Sequence, residues 1–292
     1  MVKLLFWCKS LHDNSLMKMK ILCPTDFSPA SINAIEYAAN FAKFTKSSMT
    51  LLHVVPVMVS TSEGHVSGGP DSRDEFDEAG SQLKAYCEKV ASEYAVPCNY
   101  ESIASVIKGV ERTISEESPR YDITIIGTNG ADNLSQFYLG SHSFRVAKHQ
   151  TGPMIIVPED CVFREIVNVA FASDCHIGDT LLLEQLKRLT DNFKPRVRVV
   201  HVSEKDTALS REVYKAFCSL VEETLNYDQQ IIFERIIHAN KSEAIEDFMK
   251  KTNADLLALY MEEHCLLYNV FHKSIVKKLT SYVSFPILVF HK

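Results

Sequence analysis

Short runs of Val, Ile and Leu recur along the chain, separated by stretches whose apolar residues return with helical spacing. The first five runs cover 20–25, 49–55, 97–103, 122–127 and 154–158 and show little alternation of apolar and polar positions. Strands covered on both faces read this way, because neither face can be polar. Between the first two runs, Ser28-Pro29 precedes Ile32, Ile35, Ala39 and Ala42. That spacing predicts a helix with Pro in its first turn and one apolar stripe. Gly80–Ala95, Lys108–Ser118 and Ser141–Gln150 supply further helices, whereas Ser60–Gly80, with its Ser, Asp and Gly-Gly-Pro cluster, reads as a loop. Strands alternating with helices imply an α/β chain built on doubly wound parallel sheets.

The whole pattern occurs twice. Met19-Lys-Ile-Leu-Cys-Pro-Thr-Asp26 is matched by Val167-Asn-Val-Ala-Phe-Ala-Ser-Asp174, and Thr50–Val55 by Arg198–Ser203. From Asp to His the interval is 27 in both copies (26 to 53, 174 to 201). Asp122 and Asp255 likewise stand 31 positions before Pro153 and Pro286. Two independent intervals that agree identify a duplication. One segment differs in length, His53 to Asp122 (69 positions) against His201 to Asp255 (54 positions), and the extra 15 are assigned to Ser60–Gly80. The expected organisation is an N-terminal extension over 1–18, a first domain over 19–160 and a second over 161–292.

Composition narrows the function classes. With 292 residues, 46% hydrophobic and 23% charged, the chain can bury two ordinary cores. A net charge of −6 offers no general attraction to nucleic acid or an anionic membrane. No run reaches transmembrane length. None of the eight cysteines forms a CxxC pair, and their spacing matches neither a zinc site nor a disulfide scaffold. A reduced cytoplasmic setting is the expectation.

The candidate chemistry follows the fourth run. Gly127, Gly130 and Gly140-Ser141 are spaced as Gly-x2-Gly-x9-Gly-Ser and lead into a predicted helix. Glycines let backbone N–H groups approach a phosphate, and a helix N-terminus favours an anion. Ser141 and Ser143 can add hydroxyl donors. No Gly-Lys-Ser/Thr ending is present, so this is not a P-loop of the Walker type. The plainer alternative is a turn with a helix-capping Ser, and the position after a parallel strand, together with Asp26 at the end of the first, weighs against it.

Together these features resemble the universal stress protein family. The resemblance rests on Pro24-Thr25-Asp26-x-Ser28, on Leu52-His53-Val54, on the Gly127/Gly130/Gly140-Ser141 motif and on Ile156-Val157-Pro158, and it covers residues 19–292 as two successive domains. It implies two five-stranded parallel sheets of the adenine nucleotide alpha hydrolase-like, Rossmann-like kind. It also implies an adenine nucleotide (ATP, ADP or AMP, with Mg²⁺ as an option) bound in the manner of ATP-binding members. Pro24, Thr25, Asp26 and Val54 would surround base and ribose. Ile126, Gly127, Gly130, Gly140, Ser141 and Ser143 would hold ribose and phosphates. Family members dimerise through the last strand. Here Pro153–Pro158 and Pro286–His291 can pair within one chain as a pseudo-dimer, with further homodimerisation open.

The second copy tests the motif. An offset of 133 carries Gly127, Gly130 and Gly140 onto Tyr260, Glu263 and Lys273. The glycines are gone, and Glu262-Glu263 would repel phosphate. Nucleotide is therefore expected in the first half alone. His53 recurs as His201 in the copy without glycines, which gives it a structural role, and Asp174 leaves open that Asp26 is partly a helix-entry cap. Cys23 and Cys175 read as buried small hydrophobes, and His264, His272 and His291 as packing or surface groups. The reading is a nucleotide-dependent regulatory module in stress response, with a protein partner of unknown identity and Ser60–Gly80 as its lid. No matched acid–base pair stands out, which favours binding over catalysis. A slow ATPase or nucleotidyl transferase, and a structural protein with a vestigial site, are the alternatives.

Overall fold

The opening apolar run folds as strand β1 (Lys20–Pro24), buried at four of its five residues. Helix α1 (Pro29–Thr45) starts where its residues dictate: the Ser28 hydroxyl accepts the Ser31 amide hydrogen, and Pro29 opens the first turn. The first half continues through β2 (Ser48–Pro56), a hairpin of β3 (Ser60–Ser62) and β4 (His65–Ser67), and helix α2 (Asp71–Tyr94). Next come β5 (Cys98–Ser105), α3 (Val110–Glu117), β6 (Ile123–Thr128), α4 (Ser141–His149) and β7 (Met154–Pro158). The second half runs β8 (Asn168–Ala172), α5 (Asp179–Thr190), β9 (Arg196–Ser203), α6 (Ala208–Thr224), β10 (Ile231–Ile237), α7 (Lys241–Thr252), β11 (Leu256–Tyr260) and β12 (Ile287–Phe290). The structure, a computed structural model, describes residues 19–56, 60–62, 65–67, 71–105, 108–128, 141–225, 230–260 and 285–291.

Ten strands make one sheet in the order β10-β9-β8-β11-β12-β7-β6-β1-β2-β5. Each half contributes five parallel strands, and β12 meets β7 antiparallel, with Ile287 opposite Ile156, Leu288 opposite Ile155 and Val289 opposite Met154. The internal pairing expected from the two Pro-led runs is present. It gives two sheet edges a partner that each half alone would leave open. An antiparallel joint leaves equivalent helices on the same face. Apolar residues of α1, α2, α5 and α6 share one buried cluster beneath the sheet, and those of α3, α4 and α7 share the other.

Side chains reinforce the joint. Phe44 of α1 lies 5.6 Å from Phe163 and 5.5 Å from Phe193, and Phe41 lies 5.5 Å from Phe193, between ring centroids. Such pairs add to plain burial by about 0.5–1.5 kcal/mol each. The Asn33 amide donates to the carbonyls of Pro158 (2.9 Å) and Cys161 (3.0 Å), tying α1 to the connection between halves. His291, just past β12, donates from Nδ1 to the Gly152 carbonyl at 2.9 Å.

One expectation fails. Ser60–Gly80 is not a loop: it holds the hairpin and the first ten residues of α2. Gly80 lies inside this helix, where the space its Cβ would fill is open and a single glycine costs only about 1 kcal/mol. Against that cost, Ala79, Leu83, Cys87 and Val90 bury one continuous stripe. The extra length is thus divided: α2 has 24 residues against 17 in α6, and the hairpin has no counterpart among the described residues of the second half. The extension 1–18 lies outside the described residues.

Candidate functional site

After β1 the chain moves outward to β2 and β5, then returns to the other flank of β1 for β6 and β7. Helix α1, leaving β1, packs in one cluster, and α4, following β6, packs in the other. Neighbouring strands that send their chains to opposite faces open a crevice beyond their carboxyl ends, the usual place for a ligand in such a sheet.

Those of the sequence-predicted residues that the structure describes lie at or beside these strand ends. Pro24 ends β1 and is buried. Thr25 extends the ladder by one bond, its N–H donating to the Leu52 carbonyl at 2.8 Å. Its hydroxyl lies 3.0 Å from that of Ser31 and accepts the Phe27 N–H at 3.1 Å. Asp26 is exposed, and its Oδ1 accepts the Ser28 N–H (3.1 Å) and hydroxyl (2.6 Å). Partial burial works to raise its pKa, but these Ser28 bonds prevail and hold the carboxyl below the usual range. Asp26 is therefore ionised at neutral pH. The helix cap is Ser28 itself, with Asp26 bracing it from outside.

Val54 and Ile126 are buried in the apolar cluster under the crevice, together with Leu22 and Leu52. Gly127 marks a close approach between elements. A Cβ built there would stand 2.2 Å from the Ala30 carbonyl oxygen and 2.9 Å from the Ser31 nitrogen, so α1 can lie against β6 only if this residue has no side chain. Ser143 is buried, and its hydroxyl donates to the Gly127 carbonyl at 2.7 Å. That bond pins the first turn of α4, opened by Ser141, to the end of β6. Gly130 and Gly140 lie outside the described residues.

An aromatic wall went unread in the sequence. Phe27 holds a left-handed backbone, φ 61°, and stacks on His53 at 4.8 Å and on Tyr86 of α2 at 6.2 Å. Positive φ at a bulky residue is rare and carries no sequence signature. His53 stands 2.8 Å from the Thr25 carbonyl; a carbonyl only accepts, so Nδ1 carries the hydrogen. Among the described residues no group of three or more His, Cys, Asp or Glu gathers as for a metal ion.

The equivalent turn of the second half repeats most of this. The Ser173 N–H donates to the Val200 carbonyl (3.0 Å), its hydroxyl accepts the Cys175 N–H (2.9 Å), and His201 Nδ1 donates to the Ser173 carbonyl at 2.8 Å. Cys175 even shares φ 61° with Phe27. Cys23 is fully buried, as expected of a small hydrophobe, and Cys175 partly so. The differences lie around the turn. Asp174 is engaged by Lys241 at 3.3 Å, Asp179 replaces Ser31 and takes the Ser173 hydroxyl at 2.5 Å, and Tyr260, the last residue of β11, matches Gly127, the last but one of β6. Burial raises the pKa of Asp179. Glu262, Glu263, His264, His272, Lys273 and Ser274 lie outside the described residues.

Residues 17–158 match the model of the universal stress protein family. Among curated relatives, a universal stress protein of Methanocaldococcus jannaschii is 28% identical over 138 residues, which span 47% of this chain and 81% of the relative. A universal stress protein of Mycobacterium bovis is 24% identical over 152 residues, and the match spans 48% of each chain. Among solved structures, a universal stress protein from Archaeoglobus fulgidus superposes with a TM-score of 0.72 at 18% identity, covering 93% of this chain and 98% of its own. A putative universal stress protein from Pseudomonas aeruginosa gives a TM-score of 0.56 at 13% identity, covering 94% of both. At these identities the structural likeness is one of fold. No helix among the described residues is long and apolar enough to cross a membrane.

Proposed function

Because the chain belongs to the universal stress protein family, through a first half that matches the family model over 17–158, we propose that it binds an adenine nucleotide in the crevice of that half and acts as a nucleotide-dependent regulatory module. The observation that carries the reading is the meeting of four elements at one switch point. The ends of β1, β2 and β6 converge there with the first turn of α4, which the Ser143–Gly127 bond holds at 2.7 Å. An ionised Asp26 offers a hydroxyl-bearing sugar or an amine a carboxylate acceptor, and a helix N-terminus offers phosphate its amides. Buried Val54 and Ile126 provide the apolar floor that a base requires. Mg²⁺ would come with the phosphates, with Asp26 as the carboxylate that the described part of the site offers.

The second half is proposed to be empty of nucleotide. Its aspartate is already satisfied by Lys241, Asp179 sits where the first half has Ser31, and Tyr260 replaces the glycine. Nucleotide released from the purified protein and identified by mass spectrometry tests the reading. One adenine nucleotide per chain is expected, retained through gel filtration without turnover when Mg²⁺ is added. Gly140→Asp is expected to abolish retention with the far-ultraviolet circular dichroism unchanged. Unaltered affinity in that variant would remove the phosphate-binding motif from consideration, and steady Mg²⁺-dependent turnover would favour an ATPase instead.

A further inference from the structure

Cys87 and Cys98 meet across two elements. Cys87 lies on the buried stripe of α2, and Cys98 opens β5, the strand at one end of the sheet. Their Sγ atoms are 2.7 Å apart, and Cys87 Sγ lies 3.1 Å from the Asn99 carbonyl. Bonded sulfurs stand about 2.05 Å apart, so a small movement turns this contact into a bond. Both ends are held in place. Cys98 is in register with Met49 of β2, and Ala79, Leu83 and Val90 anchor α2 on the sheet. Cys87 is buried beside the partly exposed Cys98, so a small reagent reaches the pair of sulfurs from the Cys98 side.

We propose that Cys87 and Cys98 are a redox couple that closes to an intramolecular disulfide on exposure to a hydroperoxide. The deprotonated sulfur of the pair attacks the peroxide; the O–O bond breaks, the sulfur becomes a sulfenic acid, and hydroxide or alkoxide leaves. The second thiol then attacks the sulfenic sulfur. Its S–O bond breaks, the S–S bond forms, and the departing oxygen takes the thiol proton and leaves as water. Two electrons pass from the sulfurs to the peroxide, and a small dithiol returns them by thiol–disulfide exchange. The protonation pattern agrees with this chemistry. A hydrogen bond from Cys98 draws the Cys87 thiol below its ordinary range against the opposing effect of burial, and the same bond followed by burial raises Cys98, so Cys87 is the sulfur that ionises more readily.

The bond would join α2 to the outermost strand of the first half. Tyr86, beside Cys87, stacks on Phe27, and Phe27 on His53, so oxidation stiffens the wall of the crevice. The thiol chemistry itself stands whether or not that crevice takes a nucleotide.

The full chain, reduced and then treated with hydrogen peroxide, is alkylated and digested without reductant. One cross-linked peptide joining Cys87 to Cys98 is expected, with both thiols lost to titration and recovered with dithiothreitol. The oxidised protein should melt several degrees higher, because the closed loop restricts the unfolded chain. Cys98→Ser should abolish the cross-link and the shift, while Cys161→Ser keeps both. The proposal fails if both thiols remain alkylatable after peroxide, if the cross-link joins other cysteines, or if oxidation proceeds to sulfinic acid without a disulfide.

Discussion

The turn after the first strand is built alike in both halves, whereas its surroundings are not. Thr25 and Ser173 each brace a left-handed residue two positions on, and His53 and His201 each donate to the carbonyl of that hydroxyl residue at 2.8 Å. A geometry retained beside both Gly127 and Tyr260 belongs to the fold and not to a ligand. What separates the halves is everything the turn faces: a glycine against α1 in one, and a tyrosine, an ion-paired aspartate and a buried acid in the other. A duplicated chain therefore sorts its own residues. Features common to both copies are scaffold, and those confined to one are candidates for chemistry.

The largest test of that sorting is Gly127→Val. Its Cβ would overlap the Ala30 carbonyl, so α1 must shift, and unfolding in urea should show a loss of about 3 kcal/mol. Tyr260→Ala, at the half-exposed counterpart, should lose about 1 kcal/mol. Equal losses would dissolve the difference between the two strand ends.

His53→Ala and His201→Ala come next. Each removes one hydrogen bond to a carbonyl, and each should cost about 1 kcal/mol. Nucleotide retention unaffected by His201→Ala but abolished by a stable His53→Ala protein would make His53 a ligand group.

The joint gives a pH test. Burial keeps the His291 ring below its ordinary pKa, and the carbonyls of Gly152 and Ala147 only partly offset it. The unfolded ring takes a proton as pH falls through about 6.5, while the folded ring resists. Stability is therefore present above that value and lost as pH falls below it. His291→Asn should flatten this part of the pH–stability curve, read by thermal melting from pH 7.5 down to about 5; an unchanged slope would mean that the loss comes from elsewhere.

Smallest of all, Lys241→Ala should cost about 0.5 kcal/mol at low salt and less at high salt, since the Asp174 pair is partly exposed. A larger effect would mean that the second turn depends on the ion pair for its shape.

Much of this was legible in the chain. The five apolar runs of the first half became β1, β2, β5, β6 and β7, and Ser28-Pro29 capped α1 where its chemistry required. The repeat located the second half, and the Pro-led runs paired as β7 and β12. Ser60–Gly80 was misjudged because composition weighs glycine and serine as breakers. Helix α2 is decided instead by a buried stripe that only the sheet beneath it rewards. The Phe27–His53–Tyr86 wall and the Cys87–Cys98 contact gave no signal, since neither is a matter of local spacing.

The amino-acid order alone settled which residues bury, how often the pattern repeats and where strands and most helices lie, because those depend on periodicity and local propensity. Tertiary structure decided that Gly127 exists to admit α1 and that two distant sulfurs touch. Those facts turn on distances of an ångström between elements remote in sequence, and no pattern along one chain records such distances.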